Sequence, residues 1–288
     1  MLELIKWLSE DTNPAVKYRT QIELLGEAAD KEVVVQWLTN KLPEHWTEEK
    51  GLRFTYYITA FAECGLSKED LPKEAEEHLL RECEKELDCG CETFLLFTSM
   101  LKLGYGKHPV MTKILSAVKQ QMLPDGGYVC ERIRKKAKHT PKSCYKADLH
   151  ALCFLGECKK SGLNITELQP LIDYFLKRNL FYKGTDKASL VLNDREGWRT
   201  IDTFYPFEPM RVGIQNVVEA FCALGYGNSE YLTEAWELLN NHKDETGKFI
   251  LKGTMTKSYL PKTKEKEGQP SKWVTFYALL AEKEAHES

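Results

Sequence analysis

Leu103-Gly104-Tyr105-Gly106 returns as Leu224-Gly225-Tyr226-Gly227, 121 residues further on. The shift holds without a gap from about residue 92 to residue 128. Each copy leads into a segment of matching pattern that ends on glycine and an aromatic: Gly126-Gly127-Tyr128 in the first, Gly247-Lys248-Phe249 in the second. Repeats of this length mean stacked helical units, each needing a neighbour to cover its apolar face. Met111, Ile114, Leu115 and Val118 are spaced i, i+3, i+4, i+7, and their counterparts are Leu232, Ala235, Trp236 and Leu239. That is one apolar stripe on a 3.6-residue period. The preceding segments also match: Leu96, Phe97, Met100 and Leu103 against Val217, Val218, Phe221 and Leu224. They are the more apolar of each pair, as in Thr93-Phe94-Leu95-Leu96-Phe97, and a helix apolar round most of its circumference is buried on most sides. Each unit therefore reads as a buried inner helix, a glycine turn and an amphipathic outer helix.

Weaker copies fill the rest. Residues 16–42 and 54–86 read as two more helix pairs, the second turning at Gly65-Leu66-Ser67, and 147–180 as another, turning at Ser161-Gly162-Leu163. Asn13-Pro14 supplies an N-cap and a proline at the first helical position. Ser271 is the expected N-cap of a last helix from Lys272. The count is five pairs plus one unpaired helix at each end, 2–9 and 271–285. Pairing these two closes a ring of six helical hairpins, an (α/α)6 toroid formed as one all-α domain over 1–288. An open α-solenoid is the alternative.

The inner-to-outer turns are short, whereas the connections at about 124–145, 181–212 and 244–270 are long. Long irregular connections in a compact domain are usually functional, so this end is expected to rim the site. Two of the loops are basic. Arg132, Arg134 and Lys142 stand in one; Lys257 and Lys272 stand in or beside the other. They form a candidate anion-collecting rim, or simply well-solvated loops. The third loop sets Trp198, Phe204, Tyr205 and Phe207 around Asp202. Aromatic faces stabilise a cation, and an acid among aromatics can become a proton donor; the alternative is a loop that plugs the end of the ring. Asp202, Asp194 and Asp148 are the candidate catalytic acids, and Trp273 joins the candidate ligand-binding residues.

A net charge of -3 gives no global pull toward nucleic acid. No apolar run approaches the roughly 20 residues of a membrane span. The N-terminus is too short and too charged for a signal peptide, so nine cysteines read as reduced thiols in a cytoplasmic protein. Cys89-Gly90-Cys91, Cys130, His139, Cys144, Asp148 and His150 all fall at or near the long-loop end, but none of these spacings is a structural-zinc pattern. Asp148 and His150, two apart, point about 200° apart on a helix and do not share an ion. The chain has no Gly-x-Ser-x-Gly, P-loop or GxGxxG motif.

The stretch Ile114 to Tyr128, with Gln120-Gln121 before Asp125-Gly126-Gly127-Tyr128, resembles the repeat of the prenyltransferase β-subunit and squalene–hopene cyclase superfamily. Leu239 through Phe249 is a degenerate second copy, and Ser271-Lys272-Trp273-Val274-Thr275 resembles small bacterial members. The resemblance covers most of the chain from about residue 92 and implies an (α/α)6 toroid. It implies an isoprenoid or another apolar, anionic molecule in the central cavity. Cyclases of the superfamily use an Asp-x-Asp-Asp acid motif, absent here; Asp202 is the analogous acid. The protein prenyltransferases bind zinc through an Asp-x-Cys and a later His. Here Lys142-Ser143-Cys144 takes that place with Lys142 where the Asp stands, leaving Cys144 and His150 as the implied zinc ligands.

Three functions follow as expectations. The first is a transferase or cyclase acting on an isoprenoid diphosphate, with the phosphates on the basic loops. The second is a non-catalytic module binding a small ligand or a protein on the same face. The third is nucleic-acid binding through the local basic cluster 131–146, with a steeply salt-dependent affinity.

Overall fold

The computed structural model describes residues 2–39, 42–85, 87–191, 200–205, 211–254 and 265–287, without the side chains of 131 and 132. The fold is all-α; among the described residues extended structure is limited to isolated bridges, such as Lys243 with Phe249 and Phe204 with Gly253.

The chain opens with α1 (Leu2–Leu8) and α2 (Pro14–Arg19). Asn13 caps α2 by accepting the Val16 N–H at 3.2 Å, and Pro14 sits in the first turn, where its missing N–H leaves no bond unmade. Helix α2 runs on into a π-helical turn, Thr20–Leu25, which Gly26 ends in the left-handed conformation. Then come α3 (Glu32–Thr39), α4 (Gly51–Glu63), α5 (Lys73–Glu84), α6 (Cys91–Lys102), α7 (Val110–Gln121), the single turn α8 (Glu131–Arg134), α9 (Tyr145–Lys160), α10 (Gln169–Leu176), α11 (Ile214–Ala223), α12 (Thr233–Asn240) and α13 (Lys272–Glu287). Ser271 Oγ accepts the Val274 N–H at 3.1 Å, the cap read from the sequence. The expected pairs thus start and stop within a few residues of their sequence bounds.

The 121-residue repeat is exact in its turns. Gly104 and Gly225 hold φ of 93° and 90°, a left-handed geometry that favours glycine. At the other end Leu123 and Gly127 form the same tight turn as Asp244 and Lys248. The Leu123 N–H donates to the Gly127 carbonyl and the Asp244 N–H to the Lys248 carbonyl, both at 2.8 Å. The aromatics that follow, Tyr128 and Phe249, are buried. Each is tied to the next apolar helix: the Tyr128 N–H donates to Asp148 Oδ1 at 2.6 Å, and the Phe249 N–H to Thr275 Oγ1 at 2.9 Å. Asp148 and Thr275 are each the fourth residue of their helix, so one anchoring device appears twice.

Helix α6 packs on α4 and α9, α11 on α9 and α13, and α13 returns to the π-helical turn and α2. These are the buried helices; α3, α5, α7, α10 and α12 expose their polar faces. Gly213, before α11, is where space is tightest: a Cβ there would stand 1.9 Å from the Asp202 carbonyl oxygen and 2.9 Å from the Phe204 ring. Its φ of -141° suits any residue, so the constraint is steric. Gly213→Ala is expected to lose about 3 kcal/mol through overpacking, read as a lower urea midpoint with an unchanged slope.

Candidate functional site

Four buried helices present the same stripe to one cavity. Leu95, Thr98 and Lys102 of α6, Cys153, Gly156 and Lys160 of α9, Asn216, Glu219 and Ala223 of α11, and Tyr277, Leu280 and Glu284 of α13 all line it. Each set is spaced i, i+3, i+7, which is one helix face. In the repeat register Leu95, Thr98 and Lys102 correspond to Asn216, Glu219 and Ala223. The cavity, of roughly 370 Å³, is completed by Arg19, Glu23 and Glu63, and by Arg211 and His150 toward its other end.

Nine of its lining residues are charged, and most of these are paired. Arg19 is buried and grips Glu23 with two nitrogens, at 2.5 and 2.8 Å. It also donates to the Glu63 carbonyl at 3.1 Å and the Tyr277 hydroxyl at 2.5 Å, with its guanidinium 4.6 Å from the Phe276 ring centre. The Tyr277 hydroxyl donates to Glu63 Oε2. Lys102 reaches Glu63 Oε1 at 2.7 Å, and Lys160 reaches Glu284 at 2.6 Å and Glu157 at 3.4 Å. Burial alone would discharge these cations, but the facing carboxylates outweigh it, and the pKa values of Arg19 and Lys102 lie above their ordinary values. The same attraction to Arg19 overrides burial at Glu23 and holds its carboxyl low. Arg19 ends α2, and the π-helical turn that follows carries its partner Glu23 into this network; such turns often sit at functional sites.

Glu219 differs. Its Oε1 is buried without a hydrogen-bond partner. Burial pushes its carboxyl up to about 8, with Lys102 pulling the other way and Glu63 adding to the rise. Burial also raises Glu284 against the pull of Lys160.

The charged lining lies toward the C-terminal ends of α4, α6, α9, α11 and α13, beside the short glycine turns. This differs from the expected position at the long loops. Asp148 is fully buried, and its Oδ1 ties down the Tyr128 N–H. A Cβ on Gly127 would stand 2.6 Å from that oxygen, so no space for substrate adjoins it there. Burial pushes the Asp148 carboxyl up to about 7, with the Tyr128 N–H opposing. Its place is that of an anchor, not of an acid facing the cavity. Asp202 is half-buried, and its carbonyl accepts the Ile214 N–H at 3.3 Å; it does not line the cavity.

Phe204 and Tyr205 of the aromatic loop and Trp273 of α13 are core residues, 2%, 4% and 0% exposed. Lys272 is buried, paired with Glu10 at 3.2 Å and set over the Trp7 ring. It joins the N-terminal segment to α13 and is not presented to a ligand. Arg134 is bound to Asp88 and Gln121, and Lys142 is exposed. Lys146 is buried, which lowers its pKa to about 8. Asp194, Trp198, Phe207 and Lys257 lie outside the described residues, as does the Arg132 side chain.

Cys144 stands at the N-cap position of α9 without a side-chain cap bond, whereas His150 lines the cavity. Among the described residues no group of three or more His, Cys, Asp or Glu side chains is placed to hold a metal ion, and none of the helices is long and apolar enough to cross a membrane. No family model, curated protein or solved structure matches this chain.

Sequence reasoning missed the cavity charges. The signal available was a charge breaking an apolar run, as in Val217-Val218-Glu219-Ala220-Phe221, at a position that the repeat register shares with Thr98.

Proposed function

We propose that this chain is an α/α toroid whose central cavity binds a small, polar, ionised molecule. The observation that carries this reading is the shared i, i+3, i+7 stripe of α6, α9, α11 and α13 around one charged space. Helix order supports closure: each buried helix packs on the next, and α13 packs on the π-helical turn near the start of the chain. Nothing in a fold requires nine charges around a cavity; burying them is costly, and replacing them with apolar side chains is often neutral or stabilising. Function is the simplest reason to keep them.

An isoprenoid-converting toroid is the second reading. The matched turns at 126–128 and 247–249 favour it through the superfamily resemblance. It calls for a largely apolar wall, and the charges of α6, α9, α11 and α13 weigh against it.

The test is a native mass spectrum of the chain isolated from its own cells, beside Leu95→Trp, which fills the cavity from a half-buried wall position. The expected result is a small polar adduct on the parent chain that Leu95→Trp lacks while melting like the parent. An adduct that both carry, or an isoprenoid on the parent, counts against the proposal.

A further inference from the structure

We propose that the cavity's ligand carries a positively charged nitrogen group, an amine or a guanidine, and that Glu219 is the carboxylate that pairs with it; this rests on the cavity reading above. Five carboxyls line the space, Glu23, Glu63, Glu157, Glu219 and Glu284, against four cations, Arg19, Lys102, Lys160 and Arg211. One carboxyl is in excess.

The pairing says which. Arg19 is taken by the Glu23 carboxylate, the Glu63 backbone carbonyl and the Tyr277 hydroxyl, with the Glu63 carboxylate at 3.8 Å; Lys102 is taken by Glu63, and Lys160 by Glu284 and Glu157. Arg211 lies 5.6 Å from the centre of the Phe204 ring. Glu219 Oε1 has no hydrogen-bond partner. An incoming anion would have to displace a carboxylate from Lys102 or Lys160 and would then lie beside that carboxylate. An incoming cation meets an acceptor that is already in place, and a hydrogen bond to a charged group is among the stronger ones.

Glu219 is faced by Lys102 from α6, Glu63 from α4, Lys160 from α9 and Glu284 from α13, with the Cys153 thiol of α9 beside it. With two like and two opposite charges around it, burial decides, and the carboxyl titrates near 8. The empty cavity at neutral pH therefore holds a protonated Glu219 and is close to charge balance. A cation favours the ionised form, so binding releases the Glu219 proton to solvent. The sign follows: affinity for an amine rises with pH, up to tenfold per unit, until about pH 8, and then levels off.

The experiment is calorimetric titration of the full chain with agmatine, putrescine and succinate, in two buffers of different ionisation heat and across neutral pH. The expected result is binding of agmatine or putrescine with release of about one proton per site at neutral pH. Glu219→Gln, which keeps the shape, is expected to weaken that binding at least tenfold and to abolish the proton release. Amine binding without proton release overturns the proposal, as does unchanged amine binding by a Glu219→Gln chain that melts like the parent. Succinate binding that Leu95→Trp abolishes also overturns it, while leaving the cavity reading intact. Failure of all three probes overturns the amine assignment; the cavity reading then stands or falls on the native mass spectra.

Discussion

Replacing Arg19 with methionine is expected to lower the free energy of unfolding by about 3–5 kcal/mol, because it removes a buried guanidinium from the network, leaving the part-buried Glu23 without its partner and Glu63 with Lys102. The guanidinium holds Glu23 through two nitrogens, the Glu63 carbonyl and the Tyr277 hydroxyl. It joins the π-helical turn to α4 and α13, which are far apart in sequence. Arg19→Lys should recover only part of the loss, since one ammonium cannot serve a bidentate partner and two further acceptors at once. Arg19→Met combined with Glu23→Gln should recover more, because the carboxylate that loses its cation goes with it, while Glu63 keeps Lys102. Urea denaturation reads all three. A double variant no more stable than Arg19→Met would show that Arg19 acts by packing on Phe276 and Tyr277 and not by charge.

The second large effect is on pH dependence. The Asp148 carboxyl is raised to about 7 by burial, from an ordinary value of 3.8. A group whose folded pKa is raised binds more protons folded than unfolded. Its contribution is therefore complete below about pH 4 and is lost as pH rises to about 7, amounting to about 4 kcal/mol in all. Asp148→Asn keeps the oxygen that accepts the Tyr128 N–H and removes the ionisation. The variant should match the parent near pH 4, exceed it in stability near pH 8, and show a flatter curve between. Melting temperatures across that range give the answer. Equal slopes in parent and variant would remove Asp148 as the source; Glu219, raised to about 8, supplies a separate loss at the upper end of the same range.

Which features were legible in the sequence follows from their range. Gly104 and Gly225 fix a turn by their own backbone, and Asn13 and Ser271 cap helices from one position away, so local sequence marked them. The apolar stripes of α7 and α12 follow the helical period and were legible for the same reason. Loop length pointed to one end of the fold, whereas the charged cavity lies toward the other, because side-chain burial is set by tertiary packing. Phe204, Tyr205, Lys272 and Trp273 looked available to a ligand, yet tertiary packing buries them all. Lys272 illustrates the difficulty: its partners Glu10 and Trp7 are at the far end of the chain, and nothing local announces them. Asp148 looked like a catalytic acid because its partner, a backbone N–H 20 residues away, is invisible to a motif. The charged face of α6, α9, α11 and α13 was nearer to hand. Placing Gly104, Gly162 and Gly225 in register sets Lys102 over Lys160 and Thr98 over Glu219, but that alignment was read for apolar positions only. The π-helical turn that presents Glu23 to Arg19 left no sequence signal that we recognise.

A crystal structure of the chain purified from its own cells is the most direct test of the central claim. The account predicts a closed ring in which α13 packs on residues 20–25, with a small polar molecule held against Glu219 in the cavity. An open arrangement in which α13 leaves that segment, or a ligand seated on the loops at 124–145 and 244–270 with the cavity empty, would contradict it.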